Sequence, residues 1–299
     1  GGPHRVLVMS LERQPSRRAR FLEQLRRFPA LWGRLEWLPA VDGARLDLTR
    51  LPRGVVAEEG VQDALTPREK VLGYVLTRGA IGLACTLHSA LSLIARDPDE
   101  RHVYLLCEDD AMLAPDFPHA FSRLRSEVER HDPWWEVLHV GYNVACTTVL
   151  PCTHSSCVAA RSSACIGGRS ACTLGTPAVL FGMYGVALPP RGARALLQRL
   201  FPVSLQVDTE LSRLYRHLAK VSGDTERRAF ASETASGPRL RVFAPRAGDE
   251  GMTAQQLWLG PLVVAPSSRS DCTDIQVLGS ANFAQQYPSE VVASAWRKQ

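Results

Sequence analysis

Short apolar runs of strand length alternate with segments of helical period along this chain, and few architectures accept that alternation. Val6-Leu7-Val8-Met9-Ser10-Leu11 opens the series. Phe21, Leu22, Leu25 and Phe28 then recur at the 3.6-residue spacing of a helix that starts at Pro15 and is ended by Pro29. A second helix is predicted over Gly79–Ala95, where Ala80, Leu83, Ala84, Leu87, Leu91 and Ile94 form one stripe and Asp97-Pro98 stops the chain. Strands are expected at Val103–Cys107 and Val137–Val140, with a polar helix between them. Regular structure resumes with a strand within Phe181–Leu188, a helix opened by Pro189-Pro190, another started by Asp208, and short strands at Leu240–Phe243 and Pro261–Ala265. Strands and helices in alternation predict an α/β fold, with a mostly parallel central sheet flanked by helices.

The 299 residues show no internal repeat and no sharp linker, so a single domain over 1–299 is expected, with halves at 1–118 and 119–276 and a tail at 277–299. A chain of this size buries roughly three quarters of its unfolded surface and needs no disulfide to hold a core. No run of 18 apolar residues occurs, so no transmembrane span is expected. The start, Gly1-Gly2-Pro3 without Met, reads as a processed form from which a targeting segment could have been removed, so it says little about compartment. Thirty-five basic against thirty acidic side chains leave a formal charge of +5, too small and too dispersed to predict a nucleic-acid partner. Its densest part, Arg13, Arg17, Arg18, Arg20, Arg26 and Arg27, reads as a solvated helix face.

Residues 143–177 break the pattern and are expected to be an insertion. They carry Cys146, Cys152, Cys157, Cys165 and Cys172, five of the eight cysteines, without any C-x-x-C pair, which excludes zinc-finger spacing. Two disulfides and one thiol would suit an oxidising compartment such as the secretory-pathway lumen, favoured here over the cytoplasm, where five free thiols would be expected.

The chemistry concentrates at Glu108-Asp109-Asp110, three acids that follow the apolar run Val103–Cys107 directly. Open α/β sheets place ligands beyond the carboxyl ends of their strands. Alternation along an extended chain would point Glu108 and Asp110 the same way, able to share one Mn2+ or Mg2+. A solvated strand exit is the competing reading. Asp97-Pro98-Asp99 has related spelling but reads as a turn.

An ordered series of motifs resembles glycosyltransferase family 25, which includes lipooligosaccharide and procollagen hydroxylysine galactosyltransferases. The series runs from Val8-Met9-Ser10-Leu11-Glu12-Arg13 with Arg17 and Arg18, through Ala40-Val41-Asp42-Gly43 and Leu76–Gly82 leading to His88, to Leu105–Ala111. Trp135–Gly141, Gly185–Leu188 with Gly192–Leu197, Pro202–Leu211 and Thr273–Gln276 resemble the later motifs. The resemblance implies a GT-A-like fold and a UDP-sugar donor, most often UDP-galactose. It also implies Mn2+ or Mg2+ assistance, inversion at the anomeric carbon, and a glycan or protein acceptor. UDP-glucose is the alternative donor. The first half would hold the nucleotide-sugar and the second half the acceptor. Ser10 stands where the family usually has Asn and Ala80 where it commonly has Glu. A catalytically inactive module, binding a glycan or protein through the insertion, is therefore a further alternative.

Glu108 and Asp110 are accordingly the expected metal ligands, and Ser10, Leu11, Arg13, Arg17, Asp42, His88 and Asp109 the expected donor-site residues. Locally, Asp42-Gly43 reads as a tight turn in which Gly supplies positive φ, and His88 falls on the apolar stripe of its helix as a core histidine would. Arg17 ranks below Arg13. Asp208 is the expected general base, with helix N-cap as its rival role and Glu210, Asp271 and Asp274 in reserve. Trp134 and Trp135 would face opposite ways along a strand, and His139 and Tyr142 at a strand end could meet the acceptor.

Overall fold

The computed structural model describes residues 1–66, 76–142, 148–151, 174–179, 182–215, 240–245 and 263–264. The first part runs β1 (Arg5–Ser10), α1 (Pro15–Leu25), α2 (Pro29–Trp32), β2 (Leu35–Pro39), α3 (Glu58–Leu65), α4 (Arg78–Ala95), β3 (Tyr104–Glu108), β4 (Met112–Leu113) and α5 (Phe117–His131). It continues with β5 (Val137–Gly141), β6 (Thr148–Pro151), β7 (Leu174–Val179), β8 (Gly185–Leu188), α6 (Pro190–Leu200), a helix over residues 207–215, β9 (Val242–Pro245) and β10 (Val263–Val264). The strands line up as β2-β1-β3-β8-β5-β9-β7-β6, with β10 beside β4 and β5.

The α/β alternation is as expected, but the sheet is mixed. β1 is parallel to β2 and to β3, and β5 is parallel to β9, whereas β8 runs antiparallel to both β3 and β5. Parallel pairing needs a crossover that carries the chain back to the starting edge. Between β5 and β8 the described residues hold the strands β6 and β7, and β8 runs opposite to β5.

Both faces of the sheet are covered. Along β1, Leu7 and Met9 join one core with Tyr104 and Leu106 of β3, and Val6 and Val8 join the other with Leu105 and Cys107. The first core takes Ile81, Leu87 and Leu91 from α4 and Leu196 and Leu200 from α6; the second takes Phe21 and Leu25 from α1 and Phe117 and Phe121 from α5. Residues of period two on strands therefore meet residues of period 3.6 on helices, on each side.

Helix α4 begins one residue before the expected Gly79, because the Thr77 hydroxyl accepts from Ala80 N at 3.1 Å and caps it. Among the described residues it is one helix long and apolar enough to cross a membrane, at a mean hydropathy of 1.3, and 61% of that stretch is buried inside the protein. Gly43 does not have the positive φ expected of a turn glycine; among described residues only Gly54 and Gly182 do. Its hydrogen side chain is required instead by packing, since a Cβ there would lie 2.1 Å from Arg78 O at the start of α4.

Candidate functional site

From β1 the chain moves to β2 on one side, and β3 then lies on the other side of β1. Such a reversal opens a crevice beyond the carboxyl ends of the two strands, the usual place for a ligand in an open α/β sheet. Met9 pairs with Glu108, so Ser10 and Asp109 meet one step past it. Ser10 Oγ donates to Asp109 Oδ2 at 2.7 Å, with both residues buried, and Arg18 Nε donates to Ser10 Oγ at 2.8 Å. Asp109 thus ties β1 to β3 across the switch point.

The strand stops at Glu108, and the next two residues turn, with Ala111 N donating to Glu108 O at 3.2 Å. Strand alternation therefore does not set the direction of Asp110. Instead Asp109 and Asp110 share Arg17, whose guanidinium lies 3.4 Å from Asp109 Oδ1 and 2.8 Å from Asp110 Oδ2. The expectation that the Arg-rich run is a solvated face fails at Arg17 and Arg18. The α1 face carrying Phe21 and Leu25 packs on the sheet and turns these two guanidiniums toward the strand ends.

Glu108 is half-buried. Its carboxyl is pushed up to about 8 by burial and then by the charges of Asp110 and Asp109, against a smaller opposing effect of Arg17. Asp110 is also raised, by burial first, with Arg17 pulling the other way. Asp208, a hundred residues further on, lies close enough to raise Glu108 as well. It sits in the first turn of the 207–215 helix rather than at its N-cap, and accepts from Gly182 N at 3.3 Å and Thr209 N at 2.8 Å. Burial raises its carboxyl against those bonds. The structure thus brings Glu108, Asp109, Asp110 and Asp208 into one electrostatic neighbourhood.

Arg13 and Asp42 form a second part of the crevice. Arg13 Nε donates to Asp42 Oδ2 at 2.7 Å, and Asp42 Oδ1 accepts from Ala44 N at 3.1 Å. Burial alone would raise Asp42, yet the Arg13 and Ala44 hydrogen bonds hold it below the usual carboxylate value. Leu11 lies in the turn between β1 and α1, its carbonyl accepting from Gln14 N at 3.0 Å.

Other expected residues do not join. His88 packs edge-on against Phe201 at 5.0 Å, where burial lowers its pKa, and has no described contact with the acids. Glu210 Oε1 accepts from Ser204 N, Ser204 Oγ and Leu205 N, which fixes the loop before the 207–215 helix. Asp271, Asp274 and the five clustered cysteines lie outside the described residues, while Cys85 and Cys107 are free and buried. Trp134 and Trp135 precede β5 rather than forming part of it: Trp135 is core and Trp134 is exposed. His139 and Tyr142 are also core. His139 Nε2 bonds Tyr215 OH at 2.7 Å, and burial drives the imidazole down to about 3.

Sequence reasoning missed Tyr184 and Gly182, which join the acids from the segment before β8. Cys107 pairs with Gly185, and Tyr184 comes next beyond the paired residues, its ring packed in the core that holds Leu105 and Cys107. At the far end of the sheet His4, Asp97 and His102 offer donor atoms within 4.8 Å of one another. His102 Nδ1 bonds Asp97 Oδ2 at 2.7 Å, Tyr104 OH donates to the same oxygen at 2.6 Å, and the two imidazoles stack at 3.6 Å. That oxygen is thereby occupied, so the cluster reads as a packing network consistent with the expected turn. The chain matches no protein-family model and no curated protein.

Proposed function

We propose that the chain is an inverting, metal-dependent glycosyltransferase of GT-A-like fold that moves galactose from UDP-galactose to a hydroxyl on a glycan or protein. The observation that carries this reading is the gathering of four carboxylates at the switch point, two of which, Asp109 and Asp110, pair with Arg17. Like charges held together by burial call for a cation, and oxygen donors suit Mn2+ or Mg2+, which keep waters and bind through one or two carboxylates plus substrate phosphates. Glu108 and Asp110 would hold it, and the ion's chemistry is to offset charge on the departing diphosphate. Ser10 and Asp109 fix the two strand ends, and Arg13 with Asp42 borders the donor side. Asp208 takes the proton from the acceptor hydroxyl while that oxygen attacks the anomeric carbon and the bond to the diphosphate breaks on the opposite face.

Calorimetric titration with UDP and Mn2+ tests the donor site, and turnover of UDP-galactose against UDP-glucose, with and without Mn2+, tests the chemistry. A catalytically inactive binding module is the second reading, because Arg17 already neutralises Asp110 at 2.8 Å. That reading expects no metal-dependent UDP binding.

A further inference from the structure

Tyr184 is 5% exposed, and its hydroxyl is buried without a hydrogen-bond partner. Buried hydroxyls are paired in most proteins, and an orphan beside a functional centre calls for an explanation. This one is held in position from two sides. On one side its ring packs in the core that holds Leu105 and Cys107 of β3. On the other side Gly182 closes over the ring: a Cβ on Gly182 would lie 2.4 Å from Cζ and 2.6 Å from the hydroxyl oxygen. The same Gly182 donates its N–H to Asp208 at 3.3 Å, so the phenol and the expected base share one anchor. Glu108, Asp208 and Asp110 all lie near enough for their charges to act on the phenol. A phenolic hydroxyl can both donate to and accept from a ligand oxygen.

We infer that Tyr184 is a specificity-determining contact for the transferred sugar, its hydroxyl pairing with one ring hydroxyl of the hexose. This deepens the glycosyltransferase reading and rests on it. In that reading the sugar lies between the diphosphate, held near Glu108 and Asp110, and the base Asp208. A hydroxyl placed between those groups meets the sugar rather than the uridine. A site that hydrogen-bonds a substrate hydroxyl rejects analogues lacking it, because its own polar group is then left unpaired.

The test uses the full chain and Tyr184→Phe, assayed for UDP-galactose turnover and for turnover of the monodeoxy-galactose nucleotides. Removing an unpartnered hydroxyl leaves Tm unchanged or raised, and UDP with Mn2+ binds as in the wild type. The expected result is a fall in kcat/KM on the order of 10-fold, the worth of one neutral hydrogen bond. One deoxy donor that is poor for the wild type should lose no further activity in the variant, as a double-mutant cycle requires for a direct contact. Unchanged kcat/KM, or deoxy penalties identical in both proteins, overturns the inference while the donor site stands. Wild-type chain that neither binds UDP with Mn2+ nor turns over donor overturns both.

Discussion

Glu108 is a carboxyl whose surroundings oppose its ionisation, and this fixes the sign of a pH effect. Unfolded, it titrates near its ordinary value of 4.5; folded, at about 8. Between those values the native state holds the extra proton, so its contribution to stability is fully present below the lower value and is lost as pH rises through the upper one. Metal-free protein should therefore unfold at lower denaturant concentration at pH 9 than at pH 5.5. Glu108→Gln should flatten that dependence, and equal slopes for variant and wild type would refute the assignment. Mn2+ affinity should rise over the same window, since a cation competes with the proton. Asp110 makes a second prediction. It is crowded by like charge, so Asp110→Asn should leave Tm within a few degrees of wild type while Mn2+-dependent UDP binding weakens on the order of 10- to 100-fold or more, a range that outer-shell changes alone already reach. A collapse of Tm alongside binding would mark the triplet as structural. The acids were legible because an apolar strand runs straight into them. Tyr184 was not, since its meaning depends on Gly182, Glu108 and Asp208, which only the fold brings together.

Among the elements, the contact between the Gly43 turn and α4 shows what spacing alone leaves out. A tight turn was readable from Asp42-Gly43, but the reason for glycine was not: the constraint is Arg78 O, thirty-five residues away. Gly82 faces the same interface, where a Cβ would lie 2.5 Å from Val41 O. Gly43→Ala should cost about 1–3 kcal/mol, the usual penalty of forcing atoms into a packed contact, and should loosen the Arg13–Asp42 pair at the crevice. Gly33→Ala, with nothing within 4 Å of the new methyl, is the control and should stay within about 0.5 kcal/mol. Chemical denaturation of the two variants separates packing from backbone preference. The same limit explains α1. Periodicity located the helix and its apolar face, yet whether Arg17 and Arg18 meet water or the strand ends depends on where that face docks. Strand direction was illegible for β8 for a similar reason: four residues of apolar pattern read alike in either sense, and the connection decides.

At the scale of the whole molecule, one sheet joins the acid-bearing strand β3 to the later segment that carries Gly182 and Asp208, through β8 lying between β3 and β5. An all-parallel sheet would have left no antiparallel strand to bring Tyr184 back beside the end of β3. The proposed function assigns donor holding to residues from the first half and proton removal to one from the second, and it predicts that the two can be broken independently. Asp208→Asn preserves size, and its single amide oxygen can still accept from Gly182 N at the cost of the Thr209 N bond, so the fold should survive with at most a small loss of stability. UDP with Mn2+ should raise Tm of Asp208→Asn as much as that of the wild type; saturation at a hundred times Kd is worth about 2.7 kcal/mol in either protein. Turnover should nevertheless fall by about 10²- to 10⁴-fold, the usual contribution of a general base. In Asp110→Asn the order reverses, with the ligand-induced rise in Tm lost along with turnover. If Asp208→Asn also lost its response to UDP and Mn2+, Asp208 would belong to the metal and donor site, and the base would have to come from another carboxylate.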